Sequence, residues 1–101
     1  MSRYSISPTA SRDLEEIIDY FAARDIDAGE RFITEFNKKC RNLVQFPNLG
    51  RSYTELAPSL RGLALDGYII LYKPIDDGIE IVRVVSGYRD LPTLLSPPDA
   101  P

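Results

Sequence analysis

The sequence predicts an α+β domain in which two helices form an antiparallel hairpin on one face of a small, mainly antiparallel sheet. Three observations carry that expectation. Residues 60–91 alternate short β-prone runs with turn pairs, as a meander does. Two stripes of apolar residues at helical spacing precede them. Only the short link Ala22–Ile26 joins the two stripes, so the helices fold back on each other.

The chain opens on Arg3–Ser7, a β-prone run expected to form a first strand. Ser7-Pro8 then starts a helix, with serine as N-cap and proline at N1, where its missing N–H costs nothing. Ala10, Leu14, Ile17, Ile18 and Phe21 form its apolar stripe, while Asp13, Glu15, Glu16 and Asp19 read as a solvated acidic face. Asp27-Ala28-Gly29-Glu30 reads as a capping box for the second helix. Ala28, Phe32, Phe36, Cys40 and Leu43 form the second stripe, and Pro47 and Gly50 end that helix near Gln45–Phe46.

Residues 48–59 read as a loop. Leu60–Leu65 is a strand, closed by Asp66-Gly67, a pair suited to a type I′ hairpin turn. Tyr68–Lys73 follows, with Pro74 at its end and a turn over Ile75-Asp76-Asp77-Gly78. Ile79–Val85 is the last strand. Strict alternation would put Ile79, Ile81, Arg83 and Val85 on one face and Glu80, Val82, Val84 and Ser86 on the other. Both faces carry apolar residues, so this strand is expected to be central and covered on both sides. Residues 1–95 are expected to form the single domain, with 96–101 a Pro-rich disordered tail.

Composition narrows the chemistry. The chain has no histidine and one cysteine, Cys40. A histidine base, a His/Cys metal site and an intrachain disulfide are thereby excluded, and a single thiol fits a reducing cytoplasm. No apolar run reaches the roughly 20 residues of a membrane helix. No Gly-rich phosphate loop is present, and no cofactor is implied. Cys40 lies on an apolar stripe and reads as a small buried hydrophobe. The net charge of −3 is unevenly spread. Residues 1–30 hold three cations and seven anions (3 − 7 = −4), residues 31–62 six and two (6 − 2 = +4), and residues 63–101 three and six (3 − 6 = −3). An acidic chain argues against direct sequence-specific nucleic-acid binding and leaves room for a local basic patch in the middle third. The residues left to carry function are Arg51, Tyr53, Arg61, Arg83, Tyr88 and Arg89. Arg61, Arg83 and Arg89 each have an equally good structural reading as the partner of a carboxylate, for Arg89 its neighbour Asp90. Three arginines converging on one sheet face would be harder to explain that way.

The order of these segments resembles the ParE/RelE toxin superfamily of type II toxin–antitoxin modules, often called plasmid stabilisation proteins. The resemblance rests on the Ser-Pro helix start, Asp13-Leu14-Glu15-Glu16-Ile17 with Tyr20, Phe46-Pro47…Gly50-Arg51, Leu60-Arg61-Gly62-Leu63, Tyr68…Tyr72, Ile81-Val82-Arg83-Val84 and Tyr88-Arg89-Asp90-Leu91. It covers residues 3–91 and implies a βααβββ protein bound and inhibited by a co-encoded antitoxin in a hetero-oligomer. One branch of the superfamily, RelE-like, cleaves ribosome-bound mRNA; the other, ParE-like, poisons DNA gyrase. Where the cleaving branch carries an arginine after the first hairpin tyrosine and a C-terminal tyrosine, this chain has Ile69 and Leu95. The resemblance therefore implies a ParE-like gyrase inhibitor that binds and does not catalyse. The alternatives are an mRNA endonuclease, for which Arg61, Arg83 and Arg89 would be the catalytic set, and a non-toxic interaction domain.

Overall fold

In the computed structural model, described for residues 3–87, two helices cover one face of a five-stranded mixed sheet. The elements run β1 (Arg3–Ile6), α1 (Pro8–Ala22), α2 (Ile26–Gln45), β2 (Arg51–Ser52), β3 (Arg61–Leu65), β4 (Tyr68–Ile75) and β5 (Gly78–Ser86). Strand order is β1-β5-β4-β3-β2. β1 pairs parallel with β5, and every other pairing is antiparallel, so the α+β, mainly antiparallel expectation holds.

Local sequence chemistry explains most of the element boundaries. Ser7 caps α1: its Oγ accepts from the Ala10 N–H at 3.0 Å, with Pro8 at the start of the helix. At the β3–β4 turn Asp66 and Gly67 both take positive φ, 49° and 82°, as a type I′ hairpin requires. Three expectations give way. The α2 cap is Asp25, whose carboxylate accepts from Ala28 N at 3.2 Å, and not Asp27. Asp25 wins because the link after α1 is tighter than expected; Asp25 N–H already bonds the Phe21 carbonyl. Residues 48–59 are not all loop, since Arg51 and Ser52 pair with Gly62 and Arg61. The β4–β5 turn is only Asp76-Asp77, because Pro74 and Ile75 stay in the ladder opposite Ile79 and Gly78. β3 ends opposite Tyr72, so Pro74 has a strand on one side only, and its missing N–H breaks no bond there.

The main core lies between the helices and the sheet. Ala10, Ile17, Phe32, Phe36, Cys40 and Leu43 from the helices pack on Leu65, Ile70, Tyr72, Ile79, Ile81 and Val84 from the strands. Full burial of each large apolar side chain contributes about 1.5–3 kcal/mol. A smaller cluster of Leu60, Leu71 and Val85 occupies the opposite face, packed by Tyr53, Leu56, Ala57, Ile69 and Val82. The sheet is thus covered on both sides, but unequally.

The alternation expected for the last strand fails at one point. Leu71 pairs with Arg83 while Tyr72 pairs with Ile81, so Val82 is an extra residue, a β-bulge. One inserted residue reverses the parity of everything after it. Val84 therefore joins Ile79 and Ile81 in the helix-facing core, and Val85 joins Val82 on the other face.

Candidate functional site

A bulge leaves backbone groups without ladder partners, and here the α1 segment supplies them. Ser7 Oγ donates to the Val82 carbonyl at 2.9 Å. The Asp13 carboxylate accepts from Val84 N–H at 3.0 Å, from Arg83 Nε at 2.7 Å and from Arg83 Nη2 at 3.1 Å. Asp13 is thus no part of a solvated face: its side chain is 13% exposed and that of Arg83 22%. The two-pronged hydrogen bond from Arg83 raises the arginine's affinity for its proton, opposed by burial and aided by the Asp13 charge. One carboxylate thereby docks α1, satisfies the bulge and neutralises the cation on the sheet.

Beside this pair lies a groove of about 270 Å³, lined among others by Asp13, Glu16, Tyr20, Tyr68, Arg83 and Ser86. Arg83 is the one described residue of the sequence-derived set that reaches it.

The other described members gather at the far edge of the sheet. Tyr72 organises that end. It is fully buried, and its Oη donates to the Pro47 carbonyl at 2.6 Å and accepts from Gly50 N–H at 2.9 Å. Burial raises the pKa of the Tyr72 phenol, while the Gly50 N–H and the Arg61 charge pull it down. Gly50 permits this close approach: a Cβ there would come within 2.6 Å of Tyr72 Oη. Arg61 Nη1 donates to the Gly50 carbonyl at 2.7 Å and lies 3.4 Å from the Asn48 carbonyl. Arg51 is exposed and stacks on Tyr53, 4.8 Å from guanidinium carbon to ring centroid. Tyr53 in turn packs with the smaller cluster.

Arg61 and Arg83 do not converge. Arg61 stands opposite Tyr72, and the strand carrying Arg83 lies two neighbours away, about 10 Å at ordinary strand spacing. Arg61 turns to the loop after α2, and Arg83 to α1. Tyr88 and Arg89, and with them Leu95, fall outside the described residues. Cys40 is fully buried and its thiol is pushed up to about 12 by burial, so it is protonated and inert at neutral pH. Among the described residues no His, Cys, Asp and Glu cluster could hold a metal ion, and no helix is long and apolar enough to cross a membrane.

Two contributors escaped the sequence reading. Asp13 carries a visible signal, since it lies three residues after Ala10 and four before Ile17, on the buried stripe itself. Tyr72 carries a weaker one, a hydroxyl directly after the apolar run Ile69-Ile70-Leu71.

Residues 4–91 match the model of the family described as the ParE toxin of type II toxin–antitoxin system, parDE. The chain belongs to the ParE toxin family. Two similar sequences, both named Toxin ParE1, come from Mycobacterium tuberculosis strains CDC 1551 / Oshkosh and ATCC 25618 / H37Rv. Each is 32% identical over 92 residues, covering 89% of this chain and 94% of the relative. Among solved structures, a chain of the chromosomal ParDE TA system from P. aeruginosa superposes with a TM-score of 0.70 at 19% identity. That match covers 85% of this chain and 96% of the other. At that identity the likeness establishes the fold, two helices on a five-stranded mixed sheet. The resemblance drawn from segment order is therefore confirmed at the level of family and fold.

Proposed function

We propose that this ParE-family toxin arrests growth by binding DNA gyrase and holding it in a blocked state, without breaking a bond itself. A co-encoded antitoxin neutralises it by covering Arg51, Tyr53, Arg61, Arg83, Tyr88 and Arg89. The observation that carries the non-catalytic reading is Ile69. At the position where the mRNA-cleaving branch carries an arginine, this side chain packs with Leu71 and Val85 in the smaller cluster. It can neither donate to a scissile phosphate nor move a proton. Acid–base help from a positioned group contributes roughly 10²–10⁴-fold, and that contribution is missing at Ile69. Arg83 is committed to Asp13, which supports a structural role for it alongside any contact with a partner.

The antitoxin part of the proposal draws on the family and on the chemistry of the β2–β3 edge. Exposed Phe46 and Leu49 lie in the chain beside Arg51, so a segment carrying apolar and acidic side chains would satisfy both. The relatives, a ParE toxin and a chain of a ParDE system, support this reading.

The test uses two assays on purified toxin: gyrase with relaxed plasmid and ATP, and translating ribosomes with a defined mRNA. Inhibited supercoiling or trapped cleaved DNA is expected in the first, and intact mRNA in the second. Codon-specific mRNA cuts that vanish in Arg89→Ala would overturn the proposal. Co-expression with the neighbouring small reading frame is expected to relieve toxicity and give a co-purifying pair.

A further inference from the structure

Residues 36–54 contain no carboxylate and four cations, Lys38, Lys39, Arg41 and Arg51, a net charge of +4 within a chain of net −3. Lys38, Lys39 and Arg41 lie on α2, and Arg51 on β2, the next element in the chain. Lys38 and Arg41 are exposed and stand three apart on α2, so they are neighbours on its outer surface. α2 continues from Lys38 for about 10 Å before it ends at Gln45. The loop beyond carries the Arg61 guanidinium on its Asn48 and Gly50 carbonyls, and then Arg51.

Two ordinary explanations for such cations fail here. Helix ends attract cations, but the last turn of α2 holds none. Surface cations also pair with carboxylates. The ion pairs among the described residues use Arg3, Lys73 and Arg83, and none uses Lys38, Lys39 or Arg41. The partners that Arg61 and Arg51 do have, carbonyl oxygens and a tyrosine ring, leave their full charge standing. The result is a strip of cations that form no ion pair among the described residues, with Glu35 one turn before Lys38 and Lys39 as its nearest carboxylate in the helix, on an otherwise acidic protein.

We infer that the Lys38–Arg41 face of α2, continued by Arg61, binds the phosphate backbone of duplex DNA without reading its sequence. Such a contact goes beyond the gyrase reading and does not depend on it, since it is a property of the toxin and DNA alone. If gyrase is the target, the same strip lets the toxin grip the DNA that the enzyme is holding.

The experiment measures binding of a fluorescent 20-base-pair duplex to the purified full-length toxin by anisotropy, from 50 to 200 mM salt. Engagement of about four phosphates predicts an affinity that falls roughly 100-fold across that range. The variant Lys38→Gln/Arg41→Gln is expected to lower the salt slope by about two phosphates' worth, and Lys38→Glu/Arg41→Glu to weaken binding at 50 mM salt at least tenfold. Both side chains are exposed, so the melting temperatures should match the parent, which a circular-dichroism melt checks. A duplex that does not bind, or binding indifferent to both double variants, overturns the inference. Binding of fluorescent polyglutamate at least tenfold tighter than the duplex at matched charge would also overturn it, identifying the strip as a dock for an acidic protein segment. Plasmid supercoiling by gyrase is run in parallel. DNA binding without gyrase inhibition would sustain this inference while sinking the proposed target.

Discussion

Arg83 and Arg61 are both sheet arginines that reach toward the helical layer, yet they end in opposite electrostatic states. Arg83 meets a carboxylate that grips two of its nitrogens and the neighbouring Val84 N–H. Arg61 meets carbonyl oxygens, which accept its hydrogen bonds but cancel none of its charge. The first arrangement spends the cation on holding α1 against a bulged strand. The second holds the cation in position and leaves it charged for something outside. In this fold the identity of the acceptor, more than the arginine itself, separates scaffold from surface.

The largest expected effect comes from breaking the first arrangement. Asp13→Ala strands a largely buried guanidinium and the bulge N–H together. A fully buried broken pair costs about 3–5 kcal/mol, and residual exposure of Arg83 reduces that to roughly 2–3 kcal/mol. Urea melts should show it as a lower midpoint at unchanged slope. Replacing both partners, in Asp13→Leu/Arg83→Met, removes the stranded charge and is expected to recover most of the loss. A single variant as stable as the parent would mean that the pair contributes nothing and Arg83 is free for other work.

A smaller effect is expected at the other end. Tyr72→Phe deletes the hydroxyl that links the Pro47 carbonyl to the Gly50 N–H, leaving a buried N–H unsatisfied. The loss is about 1–2 kcal/mol. Because the same loop holds Arg61, antitoxin binding should weaken along with stability. Asp13→Ala leaves the β2–β3 edge intact and changes the proposed antitoxin surface only at Arg83, so its loss of antitoxin affinity should be the smaller of the two. Equal losses of antitoxin affinity in the two variants would erase the distinction between the two ends.

The contrast also explains what the sequence made legible. Features closed within a few residues could be read directly: the Ser7 cap, the Asp66-Gly67 turn and the two helical stripes, except that Ile18 of the first stripe is exposed. Features that depend on distant partners could not. The bulge at Val82 has no local signature, since its groups are satisfied by Ser7 and Asp13, about 70 residues earlier in the chain. Strict alternation therefore placed Val84 and Val85 on the wrong faces. β2 escaped notice because two residues are too few to show a period, and it exists only through pairing with β3. Asp25 and Asp27 are both sound caps by chemistry, and the tightness of the hairpin link chose between them. The candidate arginines were legible as candidates, but their acceptors, which decide what each one does, were not.

The smallest effect on the fold, and the sharpest on the proposed function, is expected from Arg51→Ala. Arg51 is exposed, its guanidinium stacks on the face of Tyr53, and among the described residues it forms no ion pair. A cation–π contact at an exposed site contributes about 0.5–1 kcal/mol, most of which solvent returns when the side chain is removed. Stability should stay within about 0.5 kcal/mol of the parent, inside the usual range for surface changes. Binding to an acidic antitoxin segment is another matter. An arginine pre-stacked on an aromatic ring has already lost part of its rotamer freedom, and its guanidinium donors are free to fork a carboxylate. Loss of that charge-assisted contact is expected to lower affinity about tenfold, with a weaker dependence on salt. Isothermal titration of the co-purified antitoxin against Arg51→Ala and parent, at 50 and 300 mM salt, measures both quantities. An affinity unchanged at both salts would move the antitoxin contact off the β2–β3 edge and leave the groove beside Arg83 as the surface it covers.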